Sequence, residues 1–84
     1  MGLFKRKVEL KITEQENGAI IFDKTHGIYF QTNNVGTYII QLLSKGKNTD
    51  EIIDAVAEQF NISKNQARTD VTEFLFSLKK AGIA

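Results

Sequence analysis

Polar and apolar residues alternate from Lys7 to Thr13, with Val8, Leu10 and Ile12 on one side and Lys7, Glu9, Lys11 and Thr13 on the other. A period of two is that of a strand with one wet face. Asn17-Gly18 comes next, and because both central residues of a type I′ turn need positive φ, this pair predicts a tight hairpin. Ala19 to Asp23 then forms a second strand. The loop Lys24 to Gly27 ends on a glycine able to take a left-handed conformation, and Ile28 to Thr32 forms a third. The product is a three-stranded antiparallel meander.

Beyond Asn33 and Asn34, either of which is a good helix cap, the period changes. Val35, Ile39, Leu42 and Leu43 recur at i, i+4, i+7 and i+8, which predicts a short helix ending near Lys45-Gly46. Asn48 to Glu51 resembles a capping box, and Ile52, Ile53, Val56, Ala57 and Phe60 trace one face of a second helix. Ser63 and Gln66 have capping-box spacing before a third, whose inner face holds Ala67, Val71, Phe74, Leu75 and Leu78 and whose end falls at Gly82. Three strands followed by three helices is an α+β pattern with the helices on one face of the sheet. It is also winged helix-turn-helix-like. No repeat, low-complexity tract or Pro-rich linker interrupts the chain, and residues 1–84 read as one domain with a basic, flexible start at residues 1–6.

Composition narrows the classes. At 84 residues the chain supports one core, burying about 60% of its unfolded surface. Its 42% hydrophobic and 25% charged residues are those of a globular protein, and six Phe supply bulk. With no Cys, no disulfide framework or thiolate metal site is available. The start breaks into alternating charges too soon for a signal peptide, no spanning segment follows, and Arg6 stands where a myristoylated chain has Ser or Thr. The expected location is cytoplasmic, without membrane contact. A formal net charge of +1 gives no global field for nucleic acid.

Catalytic chemistry finds little support. His26 is the one histidine, in a loop three residues after Asp23, with neither a Cys nor an oxyanion loop beside it. A solvated loop histidine is the expectation. Asp50, Glu51 and Asp54 open the second helix, where the dipole favours negative charge. No phosphate-cradling glycine motif is present. Neither an enzyme, a metal site nor a cofactor is expected. A winged-helix DNA-binding module is the alternative, read by Lys64, Asn65, Arg68, Thr69, Lys79 and Lys80 of the third helix, but Asp70 and Glu73 on that polar surface repel phosphate.

The two sheet edges differ. Lys7, Glu9 and Lys11 stud the first strand, whereas Ile28, Tyr29, Phe30, Gln31 and Thr32 carry no charge. An uncharged edge needs a cover or a partner strand. Ile28 and Phe30 point to the core, Tyr29 and Gln31 away; either Ile28, Phe30 and Thr32 or Tyr29 and Gln31 present free amides to a guest. A cover by the third helix, or self-pairing in a homodimer, is the other outcome. Phe76 lies off the apolar stripe of its helix, either as an exposed contact residue or as a surface ring packed on the Lys80 stem.

Gly27-Ile-Tyr-Phe-Gln-Thr-Asn33, Gly36, Ile39-Ile40, Leu42-Leu43, Gly46, Glu51-Ile52, Asp70-Val71, Phe74-Leu75 and Leu78, in this order and spacing, resemble the PqqD-like family. Its members include the pyrroloquinoline quinone peptide chaperone and the RiPP recognition elements of ribosomally made, modified peptides. The similarity runs from about Val8 to Ile83; Thr32 departs from it, standing where the family often has Leu. The resemblance implies a domain without catalysis that binds the leader of a precursor peptide as an extra strand on Ile28 to Thr32. Arg68, Val71, Thr72, Leu75 and Lys79 of the third helix would line the opposite wall, with Arg68 and Lys79 meeting leader carboxylates. It further implies a monomer or weak homodimer that serves a partner leader peptidase or modifying enzyme. Of the two free-standing subgroups, lasso-peptide pathways are favoured over the quinone-cofactor chaperone.

Overall fold

The computed structural model describes residues 9–83. The element order is β1 Leu10–Gln15, β2 Gly18–Asp23, β3 Ile28–Thr32, α1 Asn34–Ser44, α2 Thr49–Phe60 and α3 Lys64–Ala81, an α+β meander followed by three helices. Lys7 and Val8, expected to begin the first strand, and the basic residues Lys5 and Arg6 lie outside the described residues.

The strands lie in the order β1-β2-β3, so β2 is central and β3 is an edge. Ile21 pairs with Ile12 on one side and with Phe30 on the other. Because side chains alternate along a strand, this register places Leu10, Ile12, Ala19, Ile21, Asp23, Ile28, Phe30 and Thr32 on one face. That face meets the helices: Ala19 and Ile21 are fully buried, and Phe30 packs edge-on against Phe74 of α3 at 6.0 Å. The opposite face holds Lys11, Thr13, Ile20, Phe22, Tyr29 and Gln31, and there Phe22 stacks on Tyr29 at 4.4 Å.

The hairpin turn sits one residue earlier than the sequence predicts. Gln15 pairs with Gly18, so Glu16 and Asn17 occupy the turn and Gly18 begins β2. Among the described residues only Asn61 is a non-glycine with positive φ, which excludes type I′. Gly18 is required for another reason: at φ 155° it passes so close to the end of β3 that a Cβ would collide with the Thr32 carbonyl.

Each helix starts where a side chain takes up an orphan backbone N–H. Asn33 Oδ1 accepts from Gly36 N at 2.9 Å, Asn48 Oδ1 from Glu51 N at 2.9 Å, and Ser63 Oγ from Gln66 N at 3.0 Å. The capping box is complete only on α2, where Glu51 Oε1 accepts from Asn48 N at 3.0 Å. Gln66, expected to return the bond on α3, instead donates to Asp70 Oδ1 at 2.8 Å. Asn61 and Gly82 end α2 and α3 in the left-handed conformation.

The core is a single cluster in which Ile21, Ile39, Ile40, Ile52, Val56, Val71, Leu78 and Ile83 are essentially inaccessible. In α1 the buried stripe is rotated by one residue from the predicted one: Ile40 is fully buried, while Val35 and Leu42 are only partly so. Tyr38 turns its ring edge-on to Phe60 of α2, at 5.7 Å. Phe76 is 66% exposed, off the stripe as expected.

Candidate functional site

The hydrogen-bonding direction of β3 follows from one bond at the sheet margin. Lys24 N donates to Glu9 O at 2.9 Å, continuing the β1–β2 ladder by one pair. Main-chain groups in an antiparallel ladder alternate in direction, so the even-numbered residues of β2 bond toward β1 and Ala19, Ile21 and Asp23 bond toward β3. Their partners Thr32, Phe30 and Ile28 are therefore the inward-bonding residues. Tyr29 and Gln31 direct their N–H and C=O outward, to the edge that no strand of the described residues covers. This settles the alternative that the sequence left open.

A groove of about 280 Å³ runs beside this edge. Phe30, Thr32 and Asn33 form its strand side, Val35, Gly36 and Ile39 of α1 its floor, and Asp70, Glu73, Phe74 and Ser77 of α3 its far wall. The wall residues lie on one helical face at spacings of three and four. Gly36 lets α1 approach β3 and α3 closely at the groove floor. A Cβ there would collide with Thr32 Oγ1 and stand 2.7 Å from Phe74 Cε1.

Of the residues expected to form the site, β3 supplies two to the groove, Phe30 and Thr32. Ile28 is half-buried on the same face, and the Tyr29 side chain, 70% exposed, lies with Gln31 on the other. None of the α3 residues expected on the far wall lines this groove. Val71 is wholly buried and Leu75 packs half-buried against the core. Arg68, Thr72 and Lys79 are exposed and do not line the groove. They follow Lys64 on one helical flank, and at the start of that flank Lys64 Nζ sits 3.1 Å from Asp54 Oδ1 of α2. Asp70 and Glu73 line the groove from α3.

The Asp23–His26 pair supports the β2–β3 loop. Asp23 is fully buried; its Oδ1 accepts from Thr25 N at 2.9 Å and His26 N at 3.2 Å, and its Oδ2 lies 2.6 Å from Nδ1 of the half-exposed His26. Burial pushes this carboxyl up, but the His26 side chain, the His26 and Thr25 amides and the His26 charge together hold it below the ordinary carboxylate value of 3.8. No group of three or more His, Asp or Glu is arranged as a metal cage among the described residues. No helix of the described residues is long and apolar enough to cross a membrane.

Fold and site together define a small winged-helix-like α+β domain with an open sheet edge above an apolar groove. Residues 18–84 match the family of coenzyme PQQ synthesis protein D, and the chain belongs to this PqqD family. No curated protein matches it. Two solved structures share its fold. One, TbiB1 in complex with the TbiA(beta) leader peptide, has a TM-score of 0.76 and 24% identity over 93% of both chains. The other, lasso peptide synthetase B1 complexed with the leader peptide, has a TM-score of 0.74 and 20% identity over 92% of this chain and 93% of that one.

Proposed function

We propose that this chain binds the leader segment of a ribosomally synthesised precursor peptide as a fourth strand on β3. It delivers that precursor to a partner leader peptidase or modifying enzyme in the cytoplasm, and performs no reaction of its own. The observation that carries this reading is the edge of β3, unpaired among the described residues, with the Tyr29 and Gln31 main chains turned outward beside the groove. Strand addition obtains affinity from such main-chain groups and selectivity from pockets for alternate side chains. Membership of the PqqD family supports the reading, as do two neighbours of the same fold that hold leader peptides. Both neighbours are B1 proteins, which favours a lasso-peptide pathway over quinone-cofactor synthesis.

The adaptor role follows from tethering. Holding a flexible precursor at an enzyme raises its local concentration without new contacts at the reacting bond. Docking costs conformational freedom in the disordered leader, so the expected affinity is moderate. Calorimetry with the leader of a precursor encoded beside this chain's gene tests the proposal. Saturable binding of one leader per chain is expected; no binding of any such leader refutes it.

A further inference from the structure

Among the described residues the groove is lined by two carboxylates and no cation: Asp70 and Glu73 share it with Phe30, Val35, Ile39 and Phe74. Ion pairs among the described residues are His26 with Asp23 and Lys64 with Asp54, so neither groove carboxylate is neutralised by a described neighbour. Asp70 Oδ1 accepts the neutral Gln66 amide, which orients it but leaves its charge in place. This apolar groove with an acidic lip favours a guest of opposite charge and disfavours an acidic one.

The ladder direction says which guest residues meet it. Guest residues bonded to Tyr29 and Gln31 send their side chains to the outer face, beside the stacked Phe22 and Tyr29. Residues between and beyond them, opposite Phe30 and Thr32, point into the groove two positions apart. A Cβ on Gly82 would stand 3.4 Å from Ile28 Cδ1, and Phe30 meets Phe74, so α3 runs antiparallel to β3. Asp70 and Glu73 precede Phe74 and therefore lie toward the Thr32 end.

We propose that Asp70 and Glu73 make the groove selective for a strand with an apolar side chain opposite Phe30 and a Lys or Arg, two positions away, opposite Thr32. The alkyl stem of that residue covers Phe74 while its charged head reaches the carboxylates. This selectivity rests on the reading of β3 as the guest edge. Each partly exposed pair of this kind changes affinity by up to about fivefold when one charge is removed.

Panning a phage-displayed library of random peptides, each about twelve residues long, against the full chain tests the idea. Enriched sequences are expected to carry Lys or Arg two positions from an apolar residue. A synthetic enriched peptide should bind the doubly substituted Asp70→Asn, Glu73→Gln chain about twofold to tenfold more weakly, and replacing its basic residue by norleucine should abolish the difference between the two proteins. Enriched peptides that are apolar without the cation, or that bind both proteins equally, overturn the selectivity and leave the guest-strand reading standing. No enriched peptide with either protein overturns that reading and the selectivity with it.

Discussion

Replacing Gln31 by proline removes one outward N–H and an exposed polar side chain. Gln31 pairs with Ile20 across a position where neither main chain bonds to the other, so the β2–β3 ladder keeps its bonds. Proline is tolerated on an edge strand when its missing N–H faces solvent, and the expected cost to folding is within about 1 kcal/mol. A guest strand loses a hydrogen bond, and its own carbonyl is left facing the ring. That combination costs about 1–3 kcal/mol, or roughly fivefold to a hundredfold in affinity. Phe30→Pro is the contrasting variant. It removes an inward N–H from the ladder together with a ring packed on Phe74, at a cost to folding of about 2–4 kcal/mol for a half-buried aromatic residue. Thermal melts followed by circular dichroism read the folding cost, and calorimetry with one leader peptide reads the affinity. A folded Gln31→Pro chain with unchanged affinity refutes strand addition at this edge. A stable Phe30→Pro chain that alone loses binding shows that the register is inverted.

Other substitutions report on separate parts of the account. Gly36→Ala drives a methyl group into Thr32 and Phe74 and should cost about 1–3 kcal/mol; a melting temperature equal to the parent's would contradict the close approach. Arg68→Ala and Lys79→Ala, both outside the groove, should change leader affinity less than about twofold, since exposed charges remote from a contact contribute little; a tenfold loss would return the binding wall to that flank. Asp23 has a lowered carboxyl pKa in the folded chain, so its contribution is present above about pH 4 and is lost as pH falls through the folded value. Stability should therefore drop on acidification below pH 4. Asp23→Asn should lower stability at neutral pH and flatten that drop, which urea titrations at several pH values would show.

The features legible in the sequence are those set by neighbours along the chain. Alternation from Leu10 to Thr13 and across Ile28 to Thr32 gave strands, and Asn33, Asn48 and Ser63 cap the helices that follow them. Misplaced features depend on distant groups. Gly18 reads locally as half of an Asn-Gly turn, but its need for glycine comes from the Thr32 carbonyl fourteen positions on. Likewise, the stripe of α3 identifies its buried side without saying which of its residues meets β3; the Phe30–Phe74 contact shows that. Register was equally hidden. Alternation assigns side chains to faces, whereas the direction of the free amides rests on the pairing that ends with Lys24 and Glu9.

The most direct test of the central claim is amide hydrogen exchange on β3, read residue by residue by NMR without and with leader peptide. In the free chain Phe30 and Thr32 should be protected by the ladder, and Tyr29 and Gln31 should exchange rapidly. Saturating leader should slow Tyr29 and Gln31 by tenfold or more and leave the alternation elsewhere in the sheet unchanged. Continued rapid exchange at both residues, in a sample where calorimetry shows the leader bound, would contradict strand addition on β3.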